Sequence, residues 1–599
     1  MSPGKLRFLV VHKENLASAK PSGAGHGRPS VPVAKDGEKG PSRKYINVSL
    51  YFLTSMIKYH MYWNGSGGID MKEIRNPMQT IATCFEQVAL FFPSGDPKIQ
   101  ENFERRAAYL DTRNYSRESL ADTLKTYHTH LGASTETLRM IEELRQKETL
   151  VVITGQQAGM LTGPLYTLYK AMTTIRLAKE QREKLDRPVV PVFWIASEDH
   201  DWLEIRETFI LNSEGKLALC RLPGNGGGKS VGNQPVPAWE KIEAQLMGAM
   251  PDSEFRSSVL KQCKQFIEQA ENLTQWFALT LQWLVKKWGL IFFDPLLPEF
   301  KRLAAPMYEQ ILKMHSDVRD ALTKRTQKWV KLGFEAQIQL TGIDVNLFLS
   351  MPERKLIQYI DQTFYLKGQE EPWDLDALNE LLAQAPERFS PNVVTRPVVQ
   401  EYLFPTLAYV PGPGELNYWA QLGEVFDTFG FIMPILYPRV SVVVLTAAWQ
   451  KSLNKEALTL DEVYRGLEKH QERCVRERDD QHIDERIDRL RSQIEKAYAE
   501  LAPLKEIHAN VQDWLIRNEA KVNFQVDYLK KKVWQAQRKR CREELIRLQE
   551  LQDGIAPNHS RQERVLNPLS FVARYGLSFV DRIAELPMTA EFSEHQIIL

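Results

Sequence analysis

Five short apolar runs, each closing on a polar or glycine-rich loop, constrain this chain more than any other feature. They lie at 149–153 (TLVVI), 188–196 (PVVPVFWIA), 290–293 (LIFF), 406–410 (TLAYV) and 435–437 (ILY), with helical segments between them, among them an amphipathic one at 164–185. Strands that are apolar at every position are buried on both faces. Strands that alternate with helices build a parallel sheet covered on both sides. The expected fold class is α/β, a doubly wound parallel sheet. The spacing is too wide for a compact version. Segments 206–285 and 323–393 are therefore read as inserted subdomains, the second with strand-like pieces at 335–340, 346–350 and 363–367. The lead-in from about 75 to 147 reads as helical, and the Val-rich run 440–449 reads as one more buried strand.

The last part of the chain has a different period. Ile483, Ile487, Leu490, Ile494, Ala497, Leu501, Leu504, His508, Val511 and Leu515 recur at spacings of four and three. Val522, Val526, Leu529 and Val533 begin a second series after a polar break at 517–521. This predicts an antiparallel helical coiled-coil arm, with Pro503 kinking its first helix. The charged outer positions read as a solvated face in preference to a nucleic-acid surface. At the other end, 18–45 is dense in Gly, Pro, Ser and Lys and is expected to be disordered. Segment 46–70 has no clean period, and Met71 offers an alternative start. The resulting division is an N-terminal extension (1–70), helical lead-in and first core part (71–205), insertion (206–285), core (286–322), insertion (323–393), core (394–450) and C-terminal helical arm (451–599).

Composition removes several function classes. The 77 Lys and Arg balance 76 Asp and Glu, which argues against a protein that coats nucleic acid. No apolar run approaches the ~20 residues needed to cross a bilayer, and no signal-peptide pattern is present, so a soluble cytoplasmic protein is expected. The five cysteines (Cys84, Cys220, Cys263, Cys474, Cys541) include no CxxC pair. That suits a reducing compartment better than a disulfide framework or a zinc site.

Three polar loops fall at strand ends, where open α/β sheets bind ligands. The first, 154–164 (TGQQAGMLTGP), offers Thr154, Gly155, Gln156, Gln157, Gly159, Thr162 and Gly163. Its glycines allow close backbone approach, and the helix starting at Pro164 would aim free N–H groups at phosphate or carboxylate. A plain glycine-rich connector is the alternative. The second packs Glu198, Asp199, His200 and Asp201 directly after an apolar run. Carboxylates there could hold Mg²⁺ or a substrate amine, and His200 could serve as general base. The alternative is a helix-capping cluster. The third contributes Gly412, Gly414, Glu415, Asn417 and Tyr418, with Arg396 and Arg439 beside prolines. Arginine's planar fork suits carboxylate or phosphate, although either arginine could equally sit in a structural ion pair. Gly226 to Ser230 ends like a phosphate loop but lacks the first glycine and the following helix, and is rejected. No serine nucleophile elbow occurs and no cysteine lies in these loops, which disfavours covalent acyl-enzyme chemistry.

With these loops in place, the chain resembles the cysteine ligase family of bacillithiol biosynthesis (BshC). The matching segments are TGQQAGMLTGPLYTLYKA (154–171), PVFWIASEDHDWLEI (191–205), NVVTRPVVQEYLFPTLAYVPGPGELNYWAQL (392–422) and PILYPRVSVVVL (434–445), in the family's order. The resemblance runs from about residue 75 to the end. Residues 1–70 depart from it, and Ser197 stands where a glycine is expected. It implies a Rossmann-like core with inserted connecting segments and a coiled-coil arm suited to homodimerisation. It also implies the last step of bacillithiol synthesis, joining cysteine to glucosaminyl-malate by an amide bond. Such a bond needs an activated carboxylate, most simply through ATP with Mg²⁺. On that expectation 154–164 cradles phosphate and the 198–201 cluster holds Mg²⁺ or ammonium and moves the proton. Arg396 and Arg439 bind carboxylates, and Asn417 and Tyr418 meet sugar hydroxyls. The alternatives are a non-catalytic scaffold or ligand sensor of thiol synthesis, and a nucleotidyltransferase acting on another small molecule.

Overall fold

The computed structural model describes residues 58–63, 69–74, 77–227, 229–351, 353–587 and 594–599. The disorder expected over 18–45 lies outside these residues. The core runs β1 (Leu150–Gln156), α1 (Leu165–Leu185), β2 (Val189–Ile195), α2 (Trp202–Ile205), β3 (Ile291–Phe293), α3 (Pro298–Lys313), α4 (Arg396–Leu403), β4 (Thr406–Tyr409), α5 (Pro413–Ala420) and β5 (Ile435–Leu436). All five strands pair in parallel, in the order β5-β4-β1-β2-β3. The chain steps outward from β1 to β3 and then returns to lay β4 on the other side of β1. Strand order therefore reverses between β1 and β4, and the loops after them flank a crevice.

β2 shows why the strands carry no polar alternation. Val190, Val192 and Trp194 enter one core and Phe193 and Ile195 the other, so every position is buried. Pro191 has no N–H for a ladder, and β3 begins pairing only opposite Val192. The proline thus sits where β2 has one neighbour instead of two.

The first insertion is a hairpin (Glu207–Leu211 with Leu217–Arg221) and three helices, Trp239–Ala249, Arg256–Gln269 and Leu273–Val285. After the rejected phosphate-loop look-alike comes a single 3-10 turn, Val231–Asn233. The second insertion carries a five-stranded antiparallel sheet that includes Asp344–Ser350, Arg354–Ile360 and Thr363–Leu366. The strand expected at 335–340 does not form. The Gln337 and Ile338 amides donate instead to the side-chain oxygen of Gln421, which removes them from any ladder. The run 440–449 is part strand and part helix. Ser441–Leu445 pairs in parallel with Glu594–Ile598, after which Thr446 caps a helix by accepting from the Trp449 amide.

The arm is an antiparallel pair, α6 (Ile483–Leu501) and α7 (Val511–Arg540). Ile483, Ile487 and Val526 form its seam, and Arg491–Asp527 and Lys530–Asp484 tie its flanks. The reversal falls at 502–510, not at the polar break 517–521, through which α7 runs unbroken. Pro503 lies in the turn itself. Proline stops a helix by lacking a donor, whereas a polar stretch only turns a face to water. Beyond the arm, α8 (Gln562–Val565) returns to the core and packs on α1.

Candidate functional site

A cavity of about 680 Å³ opens at the carboxyl ends of β1, β2 and β4, within the range of small-molecule sites. Gln156 at the end of β1, Asp199 in the loop after β2 and Glu415 in the first turn of α5 share its wall. So do Gly155, Gln157, Glu198, His200, Arg396, Gly412, Gly414, Tyr418 and Arg439. The sequence-derived residues Thr154, Gly159, Thr162, Gly163, Asp201 and Asn417 lie off it. The Thr154 hydroxyl donates to the Val410 carbonyl, a bond inside the sheet. Asp201 caps α2 by accepting from the Glu204 amide.

The anion cradle expected at the start of α1 is closed. The Leu165 amide donates to Leu566 O, and the preceding loop is gripped by Asn567, whose amide group donates to Leu161 O (2.8 Å) and Gly163 O (2.9 Å). A helix N-terminus binds anions through unpaired N–H groups, and here its leading one is used.

Two of the four acids on the wall are paired with a buried lysine, and a third is held by neutral donors. Glu198 pairs with Lys301 from α3, both buried, and Lys301 also donates to Phe389 O (2.8 Å). Asp199 accepts from the Gln157 side chain (2.6 Å) and the His200 amide (2.7 Å). Glu415 accepts from the Lys170 ammonium, the Gly412 amide (2.6 Å) and the Tyr409 hydroxyl (2.9 Å). Burial alone would raise its carboxyl, but Lys170 and these donors hold it below its ordinary value. Lys170 also donates to Gly155 O (2.6 Å) and Gln156 Oε1 (3.0 Å), so one buried ammonium bolts the first loop to the third. Arg439 is consumed by a two-point ion pair with Glu563 (2.8 and 2.6 Å), the structural alternative for that residue.

Besides Arg564, whose side chain makes no ion pair or hydrogen bond among the described residues, two arginines on the wall keep spare donors. Arg396 packs on the rings of Trp194, Tyr409 and Trp419 and donates to Gln400, while its other terminal nitrogen, beside Tyr418, makes no hydrogen bond of normal geometry. Arg354, from the second insertion, lies over Phe348 (3.7 Å) and donates to Ser390 and to Pro391 O. Gln157 Oε1 is buried without a hydrogen-bond partner among the described residues. Lys170, Lys301, Arg354, Glu204 and Arg564 escaped the sequence reading, since none sits in a strand-end loop. A buried lysine inside the apolar face of 164–185 was the one available signal. Glu204, exposed at the mouth, has its carboxyl raised by desolvation and by Asp201 and Asp199.

These residues suit an anion better than a protein-held Mg²⁺. Asp199, Glu198 and Glu415 have committed partners, and Mg²⁺ usually arrives with several waters and substrate phosphates. The grouping of possible metal ligands found among the described residues, Glu456, His470 and Cys474, lies away from the cavity. There His470 Nδ1 accepts from Arg473, and its Nε2 faces Glu456 at 3.5 Å.

The fold and cavity define a Rossmann-like protein with a polar, small-molecule-sized cavity at its sheet reversal, joined to a coiled-coil domain. Residues 67–440 match the bacillithiol biosynthesis BshC N-terminal Rossmann-like domain, and 442–599 match the BshC C-terminal coiled-coil domain. A relative from Symbiobacterium thermophilum, named "Putative cysteine ligase BshC", is 34% identical over 84% of this chain and 94% of its own. One of the same name from Bacillus cereus strain AH187 is 31% identical over 89% of this chain and 100% of its own. The chain belongs to the BshC family of bacillithiol biosynthesis. No helix among the described residues is long and apolar enough to cross a membrane.

Proposed function

We propose that the cavity joins cysteine to glucosaminyl-malate by an amide bond, as a ligase that activates the cysteine carboxylate with ATP. The supporting observation is the charge balance of the wall. Glu198 and Glu415 are paired with buried lysines, while the Arg396 guanidinium keeps a donor without a protein acceptor and Arg354 is held only by Ser390 and Pro391 O, so a substrate bearing carboxylates or phosphates is favoured. Gly155, Gln156 and Gln157 are the part of the first loop that can meet such an anion. Amide formation requires the attacking amine to lose a proton. Of the four acid-base candidates expected at 198–201, Glu198 is tied to Lys301 and Asp201 to its cap. His200, beside Asp199 (Nδ1 to Oδ1 3.6 Å), is the assigned proton acceptor. The arm leaves Ile507, Trp514, Ile516 and Phe524 exposed, which supports a homodimer formed through it.

The test supplies purified protein with ATP, Mg²⁺, cysteine and glucosaminyl-malate, and looks for AMP or ADP released in step with product. His200→Ala is expected to lower turnover by roughly 10²- to 10⁴-fold, the usual share of a positioned base. Absence of product with the wild type, or full thiol levels restored by His200→Ala in a deletion strain, would overturn the assignment.

A further inference from the structure

The geometry points to Arg564 as an anion-binding residue that the C-terminal domain lends to the Rossmann cavity. This inference rests on the anionic-substrate reading above and deepens it. Arg564 lies on the cavity wall, more than a hundred residues after the last core strand. Its guanidinium has no ion pair or side-chain hydrogen bond among the described residues. The other cations there are committed wholly or in part: Lys170 to Glu415, Arg439 to Glu563, Arg396 to Gln400, and Arg354 to Ser390.

The residues around it are fixed with unusual thoroughness. Gln562 is buried and bridges Val444, accepting from its amide (2.8 Å) and donating to its carbonyl (2.9 Å). Glu563, also buried, holds Arg439 at two points and accepts from Ser441 (2.9 Å). On the far side Leu566 O takes the Leu165 amide, and Asn567 clamps the loop before α1. Leu161 and Thr162 in that loop hold left-handed backbone angles (φ 51° and 79°), a conformation non-glycine residues keep only when neighbours enforce it. A four-residue helix is thus anchored on both flanks while its one uncommitted cation faces the cavity mouth. Arg564 is close enough to Tyr166 and Glu204 for its charge to act on both. The anchored backbone fixes where the exposed arginine starts, and its planar, multiply donating head is free to meet an oxyanion.

The shared ligand chemistry is an oxyanion group, which a nucleotide's phosphate chain or a malate-type dicarboxylate could supply. Calorimetric titration of the full chain with tripolyphosphate and, separately, with L-malate distinguishes the two. Arg564→Ala is expected to weaken one probe roughly ten- to hundredfold, the range of a charge-assisted hydrogen bond. The probe that weakens identifies the source. Glu204→Gln, which removes a neighbouring negative charge, should leave that probe's affinity equal or higher. Circular dichroism of each variant reports folding, and Arg564→Gln serves as the second variant. If the wild type binds a probe and Arg564→Ala binds both probes unchanged, the inference is overturned while the anionic cavity stands. If the wild type binds neither, the cavity reading itself is overturned, and the inference with it.

Discussion

Arg439 and Glu563 form the ion pair on which the junction between cavity and C-terminal domain depends. Their side chains are only 2% and 3% exposed, and the guanidinium meets the carboxylate at two points. Arg439→Met deletes one partner and leaves Glu563 in the dark with Ser441 as its main donor. Removing one member of a buried pair costs about 3–5 kcal/mol, because the remaining charge keeps its desolvation penalty. Opening of the 562–567 segment should then become roughly 10²- to 10⁴-fold more frequent. Hydrogen–deuterium exchange of peptides covering 150–165 and 562–567 reads this directly, and the urea midpoint provides a second measure. Arg439→Met/Glu563→Met should recover most of the loss, since replacing both charges by apolar groups is often near neutral. The reasoning is refuted if Arg439→Met exchanges and unfolds like the wild type yet loses affinity for carboxylates. Arg439 would then face substrate after all.

Two other expectations follow from local chemistry. His128 is fully buried, accepts from the Phe292 amide (2.9 Å), and has its pKa lowered by desolvation to about 4. The native state holds it neutral, whereas the unfolded chain takes up a proton near pH 6.5. Its stabilisation is therefore present above that pH and falls away toward pH 4, by about 3 kcal/mol in all. His128→Gln should show a shallower loss of stability than the wild type over that window, and identical slopes would contradict the account. A Cβ at Gly159 would lie 2.9 Å from the Gly163 Cα, a backbone contact that cannot rotate away, whereas one at Gly414 meets nothing within 4 Å. Gly159→Ala should thus lower the thermal midpoint through about 1–3 kcal/mol of strain, and Gly414→Ala, at a helical position with room for a methyl, should leave it equal or slightly higher; a Gly159→Ala midpoint matching the wild type would show that the loop before α1 can relax.

Local residue pattern was enough to set the layers. A strand such as VVPVFWI, with no polar side chain, can only be an interior strand, and the seam at Ile483, Ile487 and Val526 specifies its own arm. It also determined which loops meet, because the loops of an open parallel sheet that follow its strands emerge on one edge. It could not distribute charge partners. Glu198 with Lys301 lies 103 residues apart, Lys170 with Glu415 joins α1 to α5, and Arg439 with Glu563 spans 124 residues. Whether a carboxylate in a motif is free for chemistry depends on the cation folded against it, and no local pattern encodes that neighbour. Likewise the anion site expected at the start of α1 was lost to Leu566 and Asn567, which only the returning C-terminal chain brings there. Periodicity is local and legible, while pairing across the core is decided by tertiary packing, where each buried charge must find its partner or be excluded.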